Sequence, residues 1–70
     1  MAMENIKKPI AERMKDARTA KGLTTTELAN ACGISNSAVV MYESGRRVPR
    51  DSIKVVLSEA LGVPIQDLFF

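Results

Sequence analysis

The chain has 70 residues, of which 46% are hydrophobic and 26% are charged, and its formal net charge is +2. This composition is typical of one small globular domain, and the lack of a long apolar run argues against a membrane-spanning protein. With one cysteine and no histidine, the chain cannot form an internal disulfide and lacks the usual residues of catalytic triads and zinc sites, so we expect a cytoplasmic protein that is not an enzyme and has no cofactor or metal.

The sequence divides into a short N-terminal leader, predicted over residues 1–8, and a helical domain, predicted over residues 9–70. The first helix is predicted to begin at Pro9, because the fixed φ of proline suits a first helical turn. Gly22 is predicted to end it, because glycine accepts the positive φ of a helix C-terminus. The apolar residues between them recur at helical spacing, which favours a helix over a strand.

Two further helices are predicted on either side of Gly33. Thr24 and Glu27 have the spacing of a capping box, in which each side chain accepts a hydrogen bond from the other residue's backbone amide. Gly33 accepts a positive φ and so ends that helix. Ser35 is a favourable N-cap for a third helix that runs to about Glu43.

The segment between residues 25 and 43 has the pattern of two helices that cross steeply. Ala29 is small enough for the two backbones to approach, and the third helix can bury Val39 and Tyr42 against the second. The opposite face of the third helix is left outside, and it carries Asn36, Ser37, Val40 and Met41. This arrangement predicts a helix-turn-helix, in which such a face enters the major groove of DNA.

The connection after the third helix is rich in arginine. Arg46, Arg47 and Arg50 have no acidic residue among them. A charge run of this kind is usually a solvated loop, but its place directly after the third helix favours contact with phosphate. Asp51, in preference to Ser52, is predicted to cap a fourth helix, and Pro64 is predicted to begin a last short turn or helix. Because strand-like alternation is absent, the sequence predicts an all-α fold, a compact five-helix bundle.

Several separated motifs occur in a fixed order along the chain. They are Gly22-Leu23-Thr24, Glu27-Leu28-Ala29, Gly33-Ile34-Ser35, Glu43-Ser44-Gly45-Arg46-Arg47-Val48-Pro49, Leu61-Gly62-Val63 and Asp67-Leu68-Phe69. Together they resemble the Cro/repressor-type helix-turn-helix family, also called the xenobiotic-response-element (XRE) type, over almost the whole chain. The resemblance implies a lambda-repressor-like domain that binds double-stranded DNA and regulates transcription, as a repressor or autoregulator.

The resemblance also implies roles for individual positions. Base contacts by the third helix, at about residues 35–43, are implied for Asn36, Ser37, Val40 and Met41. Contacts with the DNA backbone are implied for Thr25, Thr26, Ser44, Arg46 and Arg47, to which the arginine cluster adds Arg50. Arg18 and Glu43 match a pair that forms an internal salt bridge. The side-chain chemistry agrees, because asparagine can pair bidentately with adenine and apolar side chains can contact the methyl group of thymine.

The residues Leu68, Phe69 and Phe70 allow two interpretations. In one, Phe69 covers the chain's own core. In the other, all three form the interface of a homodimer, because adjacent aromatic residues would otherwise be exposed. A twofold dimer would place two third helices about 34 Å apart, which is one turn of B-DNA, and would match a palindromic operator.

A second functional hypothesis remains open beside DNA binding. The same fold could serve as a protein-interaction module, with the Val40 and Met41 face or the Phe69 and Phe70 end binding a partner such as a toxin or an antirepressor. The expected partners are therefore double-stranded DNA, a second copy of the chain and, under the second hypothesis, another protein. No contact with a membrane is expected.

Overall fold

The computed structural model describes residues 8–70, which form five helices and no strand. The helices are α1 (Ile10–Ala20), α2 (Thr25–Cys32), α3 (Asn36–Glu43), α4 (Asp51–Leu61) and α5 (Ile65–Phe69). The predicted all-α, five-helix architecture is confirmed. The predicted leader at residues 1–8 lies outside the described residues except for Lys8. None of the helices in the described range has the length and apolar character that a membrane span needs.

Local capping chemistry sets the boundaries of α2 and α3. The Thr24 hydroxyl accepts a hydrogen bond from the Glu27 amide at 3.0 Å, and the Glu27 carboxylate accepts one from the Thr24 amide at 2.8 Å, so the capping box is complete. Gly33 ends α2 with a φ of +69°. The Ser35 hydroxyl accepts from the Ala38 amide at 3.1 Å and starts α3. Only three residues therefore connect the two helices.

Two predicted helix starts are wrong by one residue. Pro9 has a ψ of 151° and is the N-cap, so α1 begins at the following residue. Arg50, with a ψ of 166°, is the N-cap of α4 although its side chain makes no capping hydrogen bond. Asp51 cannot be the cap because it is already in the helix, where its carboxylate lies 3.9 Å from the Lys54 ammonium. An acidic residue there still stabilises the positive end of the helix.

The core receives one fully buried large side chain from each helix. These residues are Met14, Leu28, Val39, Leu57 and Leu68. α3 packs against α1 and α2, α4 packs against α2 and α5, and α5 also contacts α1. Because the five side chains belong to one cluster, each helix depends on the others for the burial of its apolar face.

The last three residues divide between the core and the surface. Leu68 and Phe69 are 1% and 4% exposed, whereas Phe70 is 63% exposed. Phe69 therefore covers the chain's own core, as the first interpretation has it. Leu68 and Phe69 have almost no side-chain surface left to offer a second copy, so of the three residues predicted for a dimer interface only Phe70 is exposed in the single chain.

Two cationic side chains hold α5 against the bundle. The Arg13 guanidinium donates hydrogen bonds to the backbone carbonyls of Asp67 at 3.3 Å and Phe70 at 3.4 Å. The Lys54 ammonium lies 5.6 Å from the ring centroid of Phe69 and 5.1 Å from that of Phe70, which is within cation–π range. This five-residue helix is thereby fixed to both α1 and α4.

Candidate nucleic-acid interface

α3 has one buried and one exposed face. Val39 and Tyr42 point into the core, at 0% and 7% exposure. The helical repeat then places the residues predicted to contact bases on the opposite side. This exposed surface, called here the outer face of α3, consists of Asn36, Ser37, Val40 and Met41. The structure therefore brings these four residues together on one solvent-facing surface.

An ion pair between Arg18 and Glu43 fixes the C-terminal end of α3 to α1. The guanidinium meets the carboxylate through two hydrogen bonds of 2.8 and 3.1 Å, and it donates a third to the Leu23 carbonyl at 2.8 Å. The side chains are only 12% and 8% exposed. The hydrogen bonds to Glu43 raise the pKa of Arg18, because they stabilise its charged form. The forked geometry holds α3 in one orientation.

The N-terminus of α2 lies beside the start of α3. The hydroxyl of Thr26 donates a hydrogen bond to the side-chain oxygen of Asn36 at 3.3 Å. Thr26 is exposed and Thr25 is half-buried. The capping box occupies the amides of Thr24 and Glu27, so the amides of the two intervening threonines remain at the positive end of the helix. Such an end attracts anions.

The arginine-rich connection follows the other end of α3. The backbone amides of Arg46 and Arg47 donate to the Met41 carbonyl at 3.1 and 3.3 Å, and the Ser44 hydroxyl donates to the same carbonyl at 3.1 Å. These bonds close the C-terminus of the helix, and Gly45 allows the turn with a φ of +79°. The connection therefore has a defined start although its side chains face solvent.

The guanidinium groups of Arg46, Arg47 and Arg50 are exposed. Among the described residues, none of them takes part in an ion pair or a hydrogen bond. In contrast, Pro49 is buried in their midst and anchors the connection to the domain. The result is a short positive ridge that follows the outer face of α3, with its charges available to an external anion.

Cys32 lies apart from this surface. Its sulfur is 3.9 Å from the Val56 carbonyl, and partial burial raises the pKa of the thiol. A raised pKa keeps the thiol neutral near pH 7, which suits a small apolar residue at the edge of the core. In the part of the chain that the structure describes, no pocket for a small ligand and no group of side chains suited to a metal ion is present.

Three features of the structure were not predicted, two at the candidate interface and one in the docking of α5. The hydrogen bond between Thr26 and Asn36 joins residues ten positions apart, and the sequence carries no signal for it. The burial of Pro49 depends on how the connection folds back onto the domain. The partners of the Arg13 guanidinium among the described residues are backbone carbonyls, so no complementary charge in the sequence indicates these hydrogen bonds.

Comparison with known proteins agrees with this geometry. The chain matches the family model HTH_3, described as helix-turn-helix, over residues 14–68. No curated protein sequence matches it. Among solved structures, it is 33% identical to the restriction-modification controller protein C.AhdI from Aeromonas hydrophila, with a TM-score of 0.82 and coverage of 86% of this chain and 91% of that one.

Two of the similar solved structures contain DNA. The master regulator for biofilm formation SinR, in complex with DNA, is 27% identical to this chain with a TM-score of 0.83. The match covers 89% of this chain and 100% of that one. The P22 c2 repressor, in complex with a synthetic operator, is 24% identical to this chain with a TM-score of 0.85. The match covers 89% of this chain and 94% of that one. At that identity, the second comparison supports the fold alone.

Proposed function

The chain belongs to the Cro/repressor-type helix-turn-helix family, whose members are DNA-binding transcription regulators, and we propose that it binds a specific sequence of double-stranded DNA and represses or autoregulates transcription in the cytoplasm. One observation carries the proposal. The exposed outer face of α3 lies between the positive N-terminus of α2 and the arginine ridge, whose guanidinium groups have no partner among the described residues.

The outer face of α3 suits the major groove of DNA. The groove is about 12 Å wide and accepts an α-helix with its side chains. Asn36, at the start of the helix, has an amide that can accept from adenine N6 and donate to N7. Ser37 can bond to several bases, and Val40 and Met41 can contact the methyl group of thymine. These residues would supply sequence selectivity.

Phosphate contacts would flank the helix on both sides. The threonine amides at the start of α2 can receive one phosphate, with the Thr25 hydroxyl as a further donor. Ser44, Arg46, Arg47 and Arg50 would contact the DNA backbone near the other end of α3. Arginine donates two parallel hydrogen bonds to phosphate oxygens, which fixes orientation without reading sequence. These contacts would supply affinity that falls with salt.

We propose that the chain acts as a twofold homodimer. Phe70 is 63% exposed and Val55 of α4 is 46% exposed, and both lie away from the core cluster. Burying such apolar surface between two copies would stabilise an isologous contact. A dimer whose α3 helices are about 34 Å apart would bind a palindromic operator.

The proposal is tested by selection from a pool of random duplex DNA followed by sequencing. We expect a palindromic motif, and we expect Asn36→Ala to lose the preference at one position in each half-site. The matched control is Asn30→Ala, which removes an exposed asparagine from α2, outside the outer face of α3. It should keep the motif. Weak salt-dependent binding without an enriched motif would contradict the proposal.

A protein partner is the second candidate function. Val40 is 48% exposed and Met41 is 36% exposed, so half of the outer face of α3 is apolar. Such a surface also suits a protein such as a toxin or an antirepressor. A partner that stays bound after nuclease treatment, and is released by Val40→Ala combined with Met41→Ala, would favour this function.

A further inference from the structure

We infer that Thr26 is a positioning residue, which orients the side-chain amide of Asn36 for base recognition instead of contacting phosphate through its hydroxyl. The inference rests on the proposed function. Its basis is the 3.3 Å hydrogen bond from the Thr26 hydroxyl to the Asn36 side-chain oxygen. This bond joins the first turn of α2 to the first residue of α3.

The hydrogen-bonding capacity of threonine separates the two roles. A threonine hydroxyl has one proton to donate. In this structure the proton is donated to Asn36, and a phosphate oxygen can only accept. A phosphate contact by the Thr26 hydroxyl would therefore require this hydrogen bond to break, or the Asn36 amide to turn over so that its nitrogen donates to the Thr26 oxygen. The Thr26 backbone amide is not affected and remains available at the helix end.

An unrestrained asparagine would be a poor reader of bases. The terminal torsion angle of asparagine has a broad, roughly twofold distribution, so a half-turn exchanges the positions of the acceptor oxygen and the donor nitrogen. Because the oxygen of Asn36 is held toward α2 by Thr26, the donor nitrogen is held on the other side. The oxygen keeps one lone pair for adenine N6. The amide is thus ordered before DNA binds, which reduces the entropy lost on binding.

The supports of this contact are themselves rigid. Thr26 lies directly before Glu27 of the completed capping box, and Asn36 directly follows the Ser35 cap. The three-residue connection with Gly33 at a φ of +69° fixes the distance between the two helix starts. The hydrogen bond therefore depends on the turn geometry and not on a flexible loop.

The test compares Thr26→Val, which keeps the shape without the hydroxyl, with Thr26→Ser, which keeps the hydroxyl. Affinity is measured at one salt concentration for the selected operator, for its variants at the base pair read by Asn36, and for a non-specific duplex. We expect Thr26→Val to reduce the preference at that base pair about two- to tenfold, the value of one hydrogen bond. The affinity of Thr26→Val for the non-specific duplex should equal that of wild type, and Thr26→Ser should keep the wild-type preference at that base pair.

A double-mutant cycle and a DNA-free measurement complete the test. In the Asn36→Ala background, Thr26→Val should have no further effect on the preference. In the free protein, the NMR order parameter of the Asn36 side-chain amide should fall in Thr26→Val but not in Thr26→Ser, with the Asn30 side-chain amide as internal control. An equal loss of affinity on every sequence would identify a phosphate contact and overturn the inference. An unchanged order parameter together with unchanged base preference would also overturn it.

The outcomes also separate this inference from the proposed function. If the wild-type protein enriches no DNA motif, the proposed function and the recognition role of Thr26 both fail. In that case an Asn36 amide that is ordered only in the presence of the Thr26 hydroxyl would remain as a purely structural contact. If a motif is enriched and depends on Asn36 but not on Thr26, only the positioning role fails.

Discussion

Arg18 and the arginines of the connection between α3 and α4 carry the same cation in opposite surroundings. The Arg18 side chain is 12% exposed, and its guanidinium donates hydrogen bonds to two carboxylate oxygens and a backbone carbonyl. Arg46, Arg47 and Arg50 are exposed, and none of their guanidinium groups has a hydrogen-bond or ion-pair partner among the described residues. The difference teaches that neighbours, and not residue type, decide whether an arginine maintains the fold or is available to a ligand.

The largest effect is expected where the internal pair is broken. Glu43→Ala leaves the Arg18 guanidinium partly buried without its carboxylate and should lower the free energy of unfolding by about 3 kcal/mol. Urea denaturation measures the change. The exposed Glu59 offers a matched control, since Glu59→Ala should change stability by less than about 0.5 kcal/mol. Equal stability of Glu43→Ala and wild type would show that the pair does not support the fold.

A smaller loss of stability is expected when Arg18 is replaced by a residue that keeps its charge but lacks the several donors of the guanidinium group. Arg18→Lys has one compact ammonium group in place of donors that reach both Glu43 and Leu23. We expect about 2 kcal/mol of destabilisation by urea denaturation, because at least one charge-assisted hydrogen bond is lost. Wild-type stability in this variant would mean that net charge alone holds α3 in place.

Removal of an arginine from the exposed ridge should affect binding and not folding. Arg47→Ala should weaken binding to all DNA sequences by about 1 kcal/mol, or roughly fivefold, and should reduce the slope of log affinity against log salt by about 1. The melting temperature should stay close to that of wild type. The control is Lys15→Ala, which removes an exposed cation from α1. A matching loss of affinity in the control would indicate a net-charge effect instead of a local contact.

The smallest effect is expected for Arg47→Lys. Lysine binds phosphate as a point charge, so the salt slope should be kept and affinity should fall by no more than about twofold. Set beside Arg18→Lys, this variant tests directly whether the same substitution is costly inside the fold and mild on the surface. A loss of affinity as large as that of Arg47→Ala would mean that Arg47 needs its planar fork.

Local chemistry explains which features the sequence could predict. The capping box of Thr24 and Glu27, the left-handed Gly33 and the Ser35 cap each depend on residues no more than three positions apart, and all were predicted correctly. The N-cap of α4 was predicted at Asp51 because an aspartate side chain can accept a capping hydrogen bond. Arg50 is the N-cap instead, through its backbone geometry alone and without a side-chain hydrogen bond.

Features that depend on the packing of distant helices were harder to predict. The burial of Leu68 and Phe69 follows from the docking of α5 on α1 and α4, which no local pattern specifies. The bond between Thr26 and Asn36 depends on the crossing of α2 and α3. The pairing of Arg18 with Glu43 was expected only from the family resemblance, because a separation of 25 residues carries no periodic signal.

The core with one fully buried side chain from every helix has a consequence for the lifetime of the protein. Since no helix can leave without opening the shared cluster, native-state hydrogen exchange in α3 should occur mainly through global unfolding. Partly folded forms that still display the outer face of α3 should be rare. Each molecule is then either folded and able to bind or globally unfolded and open to proteases. The concentration of folded protein therefore equals the concentration of molecules that present the outer face of α3.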